Sequence, residues 1–381
     1  MKIGIVCYPT YGGSGVMATE LGKALAGKGY EVHFISYSMP VRLDSVGVNN
    51  VYYHEVATFN YPLFDHPPYE SALISKLVDV IRYEGLDILH VHYAIPHAFA
   101  AYVAKQILAT QGIHIPVVTT LHGTDITLVG KDSTYEPAVT FSINQSDAVT
   151  AVSQYLKDET YRFFKVKKDI TVIPNFVDFE RFSKKSKDHF KVAIAPNGEK
   201  IIVHTSNFRA LKRIDDVIGI FKLIRNAMPA KLLLVGDGPE RNHIEMLTRS
   251  LCLSSDVRFL GKIEAVEEVL SIADLFLLPS EKESFGLAAL EAMACQVPVV
   301  SSDAEGIPEV NINGVTGFIS AVGDVEDMGR NAIKLLQDPE LHQQFKLAAF
   351  ERAKEFNLES VMLMYEMLYK GLVTHKKAIV A

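Results

Sequence analysis

Short β-rich runs alternate with helix-length amphipathic stretches along nearly the whole chain, and this alternation confines the fold to the α/β class. Strands are expected at 2–7, 31–36, 51–56, 87–92, 116–121, 147–152 and 169–173. A second set is expected at 200–205, 231–235, 257–260, 275–278, 297–301 and 317–319. Between them lie helix-length patterns such as 16–26, 69–82, 215–226 and 287–294. A chain of 381 residues suits two domains of ordinary size. The polar, lysine-rich stretch 183–197 is the expected boundary, with a fresh strand at 200. Two doubly wound sheets in tandem follow, with ligands expected at the carboxyl ends of the strands and in the cleft between facing sheets.

The net charge of −7 disfavours nonspecific adhesion to nucleic acid or anionic membrane. An anionic ligand would need helix N-termini and a few placed cations. Cys7, Cys252 and Cys295 form no Cys-x-x-Cys pair, so a reducing compartment and three small buried hydrophobes are expected. The apolar start at 1–6 is too short for a signal-peptide core, and no run approaches membrane-spanning length, so the expected location is the cytoplasm.

Chemistry-bearing residues gather at the ends of the expected strands. After the first strand, Gly12-Gly13-Ser14-Gly15 opens a helix whose free N–H groups suit a diphosphate or carboxylate. A plain strand-to-helix turn is the alternative. Gly13-x-Gly15-x-x-Ala18 fits the dinucleotide fingerprint formally, but the loop is long and the second strand lacks the acid that a ribose diol requires. His122-Gly123-Thr124-Asp125 follows the strand at 116–121, and His90-Val91-His92-Tyr93 ends its neighbour. His122 could donate to a sugar hydroxyl or be satisfied locally by Asp125. His90 and His92 share a strand face but have no third ligand at zinc spacing.

In the second half, Asn207, Arg209, Lys212 and Arg213 crowd the loop after 200–205. Cations are badly placed at a helix N-terminus, so an anionic ligand is expected there. The strand at 275–278 runs into Glu283-Ser284-Phe285-Gly286-Leu287, whose backbone donors open a helix carrying Glu291 on its buried side. Glu283 could accept from sugar hydroxyls and Glu291 from a ribose diol.

Glu283 to Glu291 resembles the E-x7-E motif of the retaining GT-B glycosyltransferases of family four. Gly12-Gly13, His122-Gly123-Thr124-Asp125, Asn175 within 174–178, and Ala304-Glu305-Gly306-Ile307-Pro308-Glu309 match that family in order, over nearly the whole chain. The resemblance implies two Rossmann-like domains facing a central cleft. These would be an acceptor-side domain at 1–170, onto which a helix at about 357–381 packs back, and a nucleotide-sugar domain at 171–356. The family's loop has Arg five residues before Lys212, where this chain has Asn207, and Arg209 stands two residues on. Gln296 replaces a common glycine.

Segments 7–15, 90–97 and 206–209 are similar to the branch of that family that serves bacillithiol synthesis. This implies UDP-N-acetylglucosamine as donor, L-malate as acceptor, no resident cofactor and retention of the α configuration. Under that reading Lys212, with the Gly13 and Leu287 amides, holds the diphosphate. Glu283, Ser284, Phe285, Gly286 and His122 hold the sugar, and Lys212, His122 and Glu283 form the catalytic set. Glu291 holds the ribose, Asn207 faces both ligands, and Ser14, Tyr93, Thr120 and Arg209 complete the acceptor side. No Asp-x-Asp pair occurs in the chain, so no metal held by that motif is expected. A homo-oligomer stays open. A UDP-N-acetylglucosamine 2-epimerase and a nucleotide-sugar-binding protein without chemistry are the alternatives.

Overall fold

The computed structural model describes residues 1–10, 12–43, 49–58, 66–184 and 188–380. Tyr11 of the Gly-rich loop and 185–187 of the polar stretch lie outside them. The chain forms two compact units, Met1–Asn175 with Leu358–Ala381, and Phe176–Asn357.

Unit 1 carries strands β1 (Lys2–Val6), β2 (Glu31–Ser36), β3 (Val51–Glu55), β4 (Ile88–His92), β5 (Val117–Leu121), β6 (Ala148–Ala151) and β7 (Ile170–Val172). They form one seven-stranded sheet in the order β3-β2-β1-β4-β5-β6-β7, parallel at every pairing. The central strands β4 and β5 are buried at every position, as strands covered on both faces must be. Helices α1 (Gly13–Gly27), α2 (Tyr69–Val80), α3 (Phe99–Ala109), α4 (Glu136–Gln145) and α5 (Gln154–Phe163) supply the crossovers. Helix α1 lies close on the loop before it. A Cβ on Gly15 would stand 2.4 Å from the Tyr8 carbonyl oxygen, so only glycine fits.

Unit 2 carries α6 (Asp188–Ile194), β8 (Lys200–Thr205), α7 (Ile214–Ala227), β9 (Ala230–Val235), α8 (Arg241–Ser250), β10 (Val257–Gly261), α9 (Val266–Ile272), β11 (Leu275–Leu278), α10 (Leu287–Ala294), β12 (Val299–Ser302), β13 (Gly317–Ser320), α11 (Val325–Gln337) and α12 (Pro339–Lys354). The six-stranded sheet runs β10-β9-β8-β11-β12-β13, again all parallel. Its core joins Ile202, Phe221, Leu232, Leu275 and Phe345, each fully or nearly fully buried. Each such side chain contributes roughly 1.5–3 kcal/mol by leaving water.

The last helix, α13 (Leu358–Val380), belongs to unit 1. Its buried Tyr369 hydroxyl lies 2.7 Å from His90 Nδ1, and Glu366 accepts from the Tyr30 hydroxyl at 2.6 Å. The two units divide near 175–176, a few residues after 170 and upstream of the polar stretch 183–197. Within that stretch α6 forms, and Lys191 pairs with Asp274 at 3.2 Å. Of the cysteines, Cys7 and Cys295 are buried, but Cys252 is exposed. It sits at positive φ just after α8, where the chain turns at the surface.

Candidate active site

Both sheets reverse their winding once, between β1 and β4 in unit 1 and between β8 and β11 in unit 2. At such a point the connections leave toward opposite faces, and the strand ends open a crevice for ligands. The residues singled out in the sequence collect at these two points.

In unit 2 the β8–α7 loop and the β11–α10 loop lie side by side because their strands pair, Leu275 with Ile202 and Phe276 with Val203. The Glu281 amide donates to the Leu211 carbonyl at 2.8 Å and fastens the loops together. Lys212 Nζ then stands 2.5 Å from Glu283 Oε2, with both side chains less than one-fifth exposed. Lys212 closes a short 3-10 turn, Ala210–Lys212, and Arg213 follows in the left-handed region at φ 50°.

The peptide of Glu283 is gripped from β12. Its N–H donates to Glu305 Oε2 at 2.8 Å, and its carbonyl accepts from the Gly306 amide at 3.0 Å. Gly286 then turns the chain into α10 at φ 95°. No side chain caps α10 and no acid lies in its first turn, an arrangement that suits an anion at a helix start. Glu291, one turn on, is 8% exposed and sits on the buried side of the helix. The base of the β8 loop is equally tight. A Cβ on Gly236, at φ 121°, would stand 1.8 Å from the Ser206 carbonyl oxygen. Phe208 is fully buried as the anchor of this loop, leaving Asn207 and Arg209 exposed on either side. Arg209 makes no ion pair among the described residues, whereas Arg213 donates to Asp216 at 2.6 Å. Arg213 is therefore spent on the first turn of α7 and leaves the set of ligand-facing cations.

In unit 1, α1 begins at Gly13 with neither a side-chain cap nor an acid in its first turn. Ser14 Oγ lies 2.6 Å from the Tyr93 hydroxyl, which bridges the ends of β1 and β4. Tyr93 sits at φ 83°, a strained region for a bulky residue, and this turns its ring toward α1. Beyond it four imidazoles crowd together. His92 Nδ1 and His122 Nε2 are 2.7 Å apart, and the His90 and His92 rings lie 4.4 Å apart. His97 donates from Nδ1 to the His92 carbonyl at 2.5 Å.

Burial and the nearby His122 hold His90 down to about 3. Burial, then His97, holds His122 at about 3, and burial places His97 near 4. His92 is held well below its ordinary value by burial and then by His90, His122 and His97. The cluster is thus neutral at physiological pH, and its imidazoles act as hydrogen-bonding groups rather than cations.

Asp125 does not satisfy the His122 ring. It accepts instead from the Ala94 amide at 2.8 Å and the Gly123 amide at 3.2 Å, and burial raises its pKa to about 6. Thr120 lies behind this cluster. It is 1% exposed, and its hydroxyl lies 2.7 Å from both His90 Nε2 and Thr150 Oγ1. It supports His90 from behind. Glu305, matched in the sequence but given no role there, fixes the Glu283 amide with its carboxylate. Sequence reasoning missed the His92–His122 pair, whose members lie thirty residues apart, at the end of β4 and just past β5.

Comparison with known proteins agrees with this geometry. Residues 11–181 match Glycosyltransferase Family 4, and residues 185–352 match Glycosyl transferases group 1. The chain is 48% identical to N-acetyl-α-D-glucosaminyl L-malate synthase of Bacillus anthracis, over 99% of this chain and 98% of that one. It is 28% identical to glycogen synthase of Mycobacterium tuberculosis over 80% of this chain and 73% of that one. Among solved structures, sucrose-phosphate synthase from Thermosynechococcus elongatus superposes with a TM-score of 0.83. Its identity is 21%, covering 98% of this chain and 99% of that one. Anabaena Alr3699/HepE in complex with UDP-glucose gives 0.81 at 20% identity, covering 97% and 100%. No helix among the described residues is long and apolar enough to cross a membrane. The chain belongs to the GT-B glycosyltransferases in which a family 4 domain is followed by a group 1 domain.

Proposed function

We propose that the chain transfers N-acetylglucosamine from UDP-N-acetylglucosamine to the hydroxyl of L-malate with retention of the α configuration, the first step of bacillithiol synthesis. The observation that carries this reading is the 48% identity to the malate synthase of Bacillus anthracis along essentially the full length of both chains. The solved complexes of Anabaena Alr3699/HepE with UDP and UDP-glucose support a UDP-sugar donor through their shared fold.

Unit 2 takes the donor in this account. Glu291 accepts from the ribose hydroxyls, and the N–H groups at the start of α10 receive the diphosphate. Lys212 swings from Glu283 to the phosphates, where its charge stabilises the departing UDP. Glu283, Ser284, Phe285, Gly286 and neutral His122 hold the sugar. Arg209 and Asn207 receive malate carboxylates together with Ser14 and Tyr93, and the free guanidinium of Arg209 supplies the fork that a carboxylate fits.

The bond from the sugar C1 to the phosphate oxygen breaks as the bond from C1 to the malate oxygen forms on the same face. The departing phosphate oxygen accepts the malate hydroxyl proton. This route needs no carboxylate nucleophile, no resident cofactor and no metal. A matrix of nucleotide sugars against hydroxy acids, read by nucleotide release, tests the assignment. Release is expected only with UDP-N-acetylglucosamine plus malate. Turnover without any acceptor would favour an epimerase, and binding without release a non-catalytic protein.

A further inference from the structure

We propose that His33, His54 and Glu84 form a binding site for one divalent late-transition-metal ion of the Zn2+ type, at the β2–β3 edge of the unit 1 sheet. His33 lies on β2, and His54 lies on the edge strand β3 opposite Ile35. The two-residue period of paired parallel strands places Glu31, His33 and His54 on one face. Glu84 reaches the same point from the short π-helical turn Ile81–Gly85 that follows α2. One donor atom from each of the three lies within 4.8 Å of the others.

His33 is fully buried, and its Nδ1 faces His54 Nε2 at 2.9 Å. Two nitrogens on a tetrahedral zinc ion stand about 3.3 Å apart, given bond lengths of about 2.0–2.1 Å. A separation of a few tenths of an ångström would therefore admit the ion. The far side of His33 is built as metal sites require. Its Nε2 lies 3.0 Å from Glu31 Oε1, and that carboxylate is held in turn by Lys2 Nζ at 2.7 Å. A carboxylate accepting from Nε2–H fixes the tautomer that leaves the Nδ1 lone pair toward His54. Two imidazoles and one carboxylate, backed by a second carboxylate, form a zinc-type set with a position left for water. The bound ion would tie the edge strand and the end of α2 to the interior strand β2.

The test uses untagged, full-length protein stripped with EDTA and titrated calorimetrically with ZnCl2. One saturable high-affinity equivalent is expected. His54→Gln and Glu84→Gln should each weaken it at least tenfold, and Glu31→Gln by about 10–100-fold through the lost support of His33. None of these residues belongs to the candidate active site, and circular dichroism with unchanged sugar transfer in metal-free buffer would show that the variants fold. Co2+ should give visible ligand-field bands that His54→Gln abolishes. Absence of a saturable equivalent would overturn the proposal. So would an equivalent that survives both His54→Gln and Glu84→Gln, because the ion would then sit elsewhere, among the imidazoles at 90–122.

Discussion

Removing the Lys212 ammonium separates its structural role from its chemical one. In the structure it lies 2.5 Å from Glu283 Oε2, with 16% and 19% of the two side chains exposed. Lys212→Ala leaves the Glu283 carboxylate without its cation. Both groups keep part of their hydration, so the stability cost should be about 1–2 kcal/mol, below the 3–5 expected for a fully buried pair. The effect on turnover should be larger, because the charge on the departing UDP grows only as the sugar bond breaks. Loss of one such preorganised donor costs about 10²–10³ in kcat, or about 2.7–4 kcal/mol. The assay is coupled detection of UDP release with donor and malate saturating, beside a thermal melt. The double variant Lys212→Ala with Glu283→Gln should recover stability without recovering turnover. A Lys212→Ala enzyme within threefold of the native kcat would refute the assigned role, since the fold would be intact and the charge dispensable.

Other consequences are open to measurement. Glu291→Gln should weaken donor and free UDP together by about 1.5–3 kcal/mol, because the ribose belongs to both. Unchanged UDP affinity by calorimetry would remove Glu291 from the ribose. Arg209→Lys should raise the malate KM far more than the donor KM, since lysine keeps the charge and loses the planar fork. Loss of UDP affinity with an unchanged malate KM would make Arg209 a phosphate ligand. Stability should also depend on acid in a particular window. His90 and His122 near 3 and His97 near 4 all lie below the ordinary 6.5, so the unfolded chain binds more protons as pH falls below about 6.5. Each such imidazole removes about 1.4 kcal/mol per pH unit through that window. Asp125, raised from 3.8 to about 6, opposes with one proton between those values. The melting temperature should fall steeply from pH 6.5 to 4.5, and less steeply in His97→Gln. A flat profile would mean the imidazoles are not held neutral.

Much of the fold was readable because parallel strands covered on both faces leave compact apolar runs between turn residues. Each strand of both sheets falls within a residue or two of an expected run. The helix at 287–294 coincides with α10, since Gly286 marks its start. The stretch 183–197 is polar in sequence but not without structure. Its lysines suggest a solvated linker, yet Ile194 is buried at the end of a helix whose Lys191 reaches Asp274, a partner far along the chain.

The site residues were visible as polar groups at strand ends, but their pairings were not. Lys212 and Glu283 are 71 residues apart in sequence and meet only because β8 pairs with β11. Arg213 looked like Arg209 in sequence, and only the left-handed turn before α7 sends it to Asp216. Thr120 stands one residue before the end of β5, and its buried hydroxyl lies against His90 and Thr150. The His33–His54–Glu84 group carries no spacing signal, because its members come from two strands and a helix end.

The most direct test of the central claim is nuclear magnetic resonance of the product formed from UDP-N-acetylglucosamine and L-malate by the purified protein. One N-acetylglucosaminyl malate is expected, with the small anomeric coupling of an α linkage, formed in step with UDP and only when malate is present. A β-linked product would contradict retention. UDP release that ignores malate, or no glycosylated malate at all, would contradict the transfer itself.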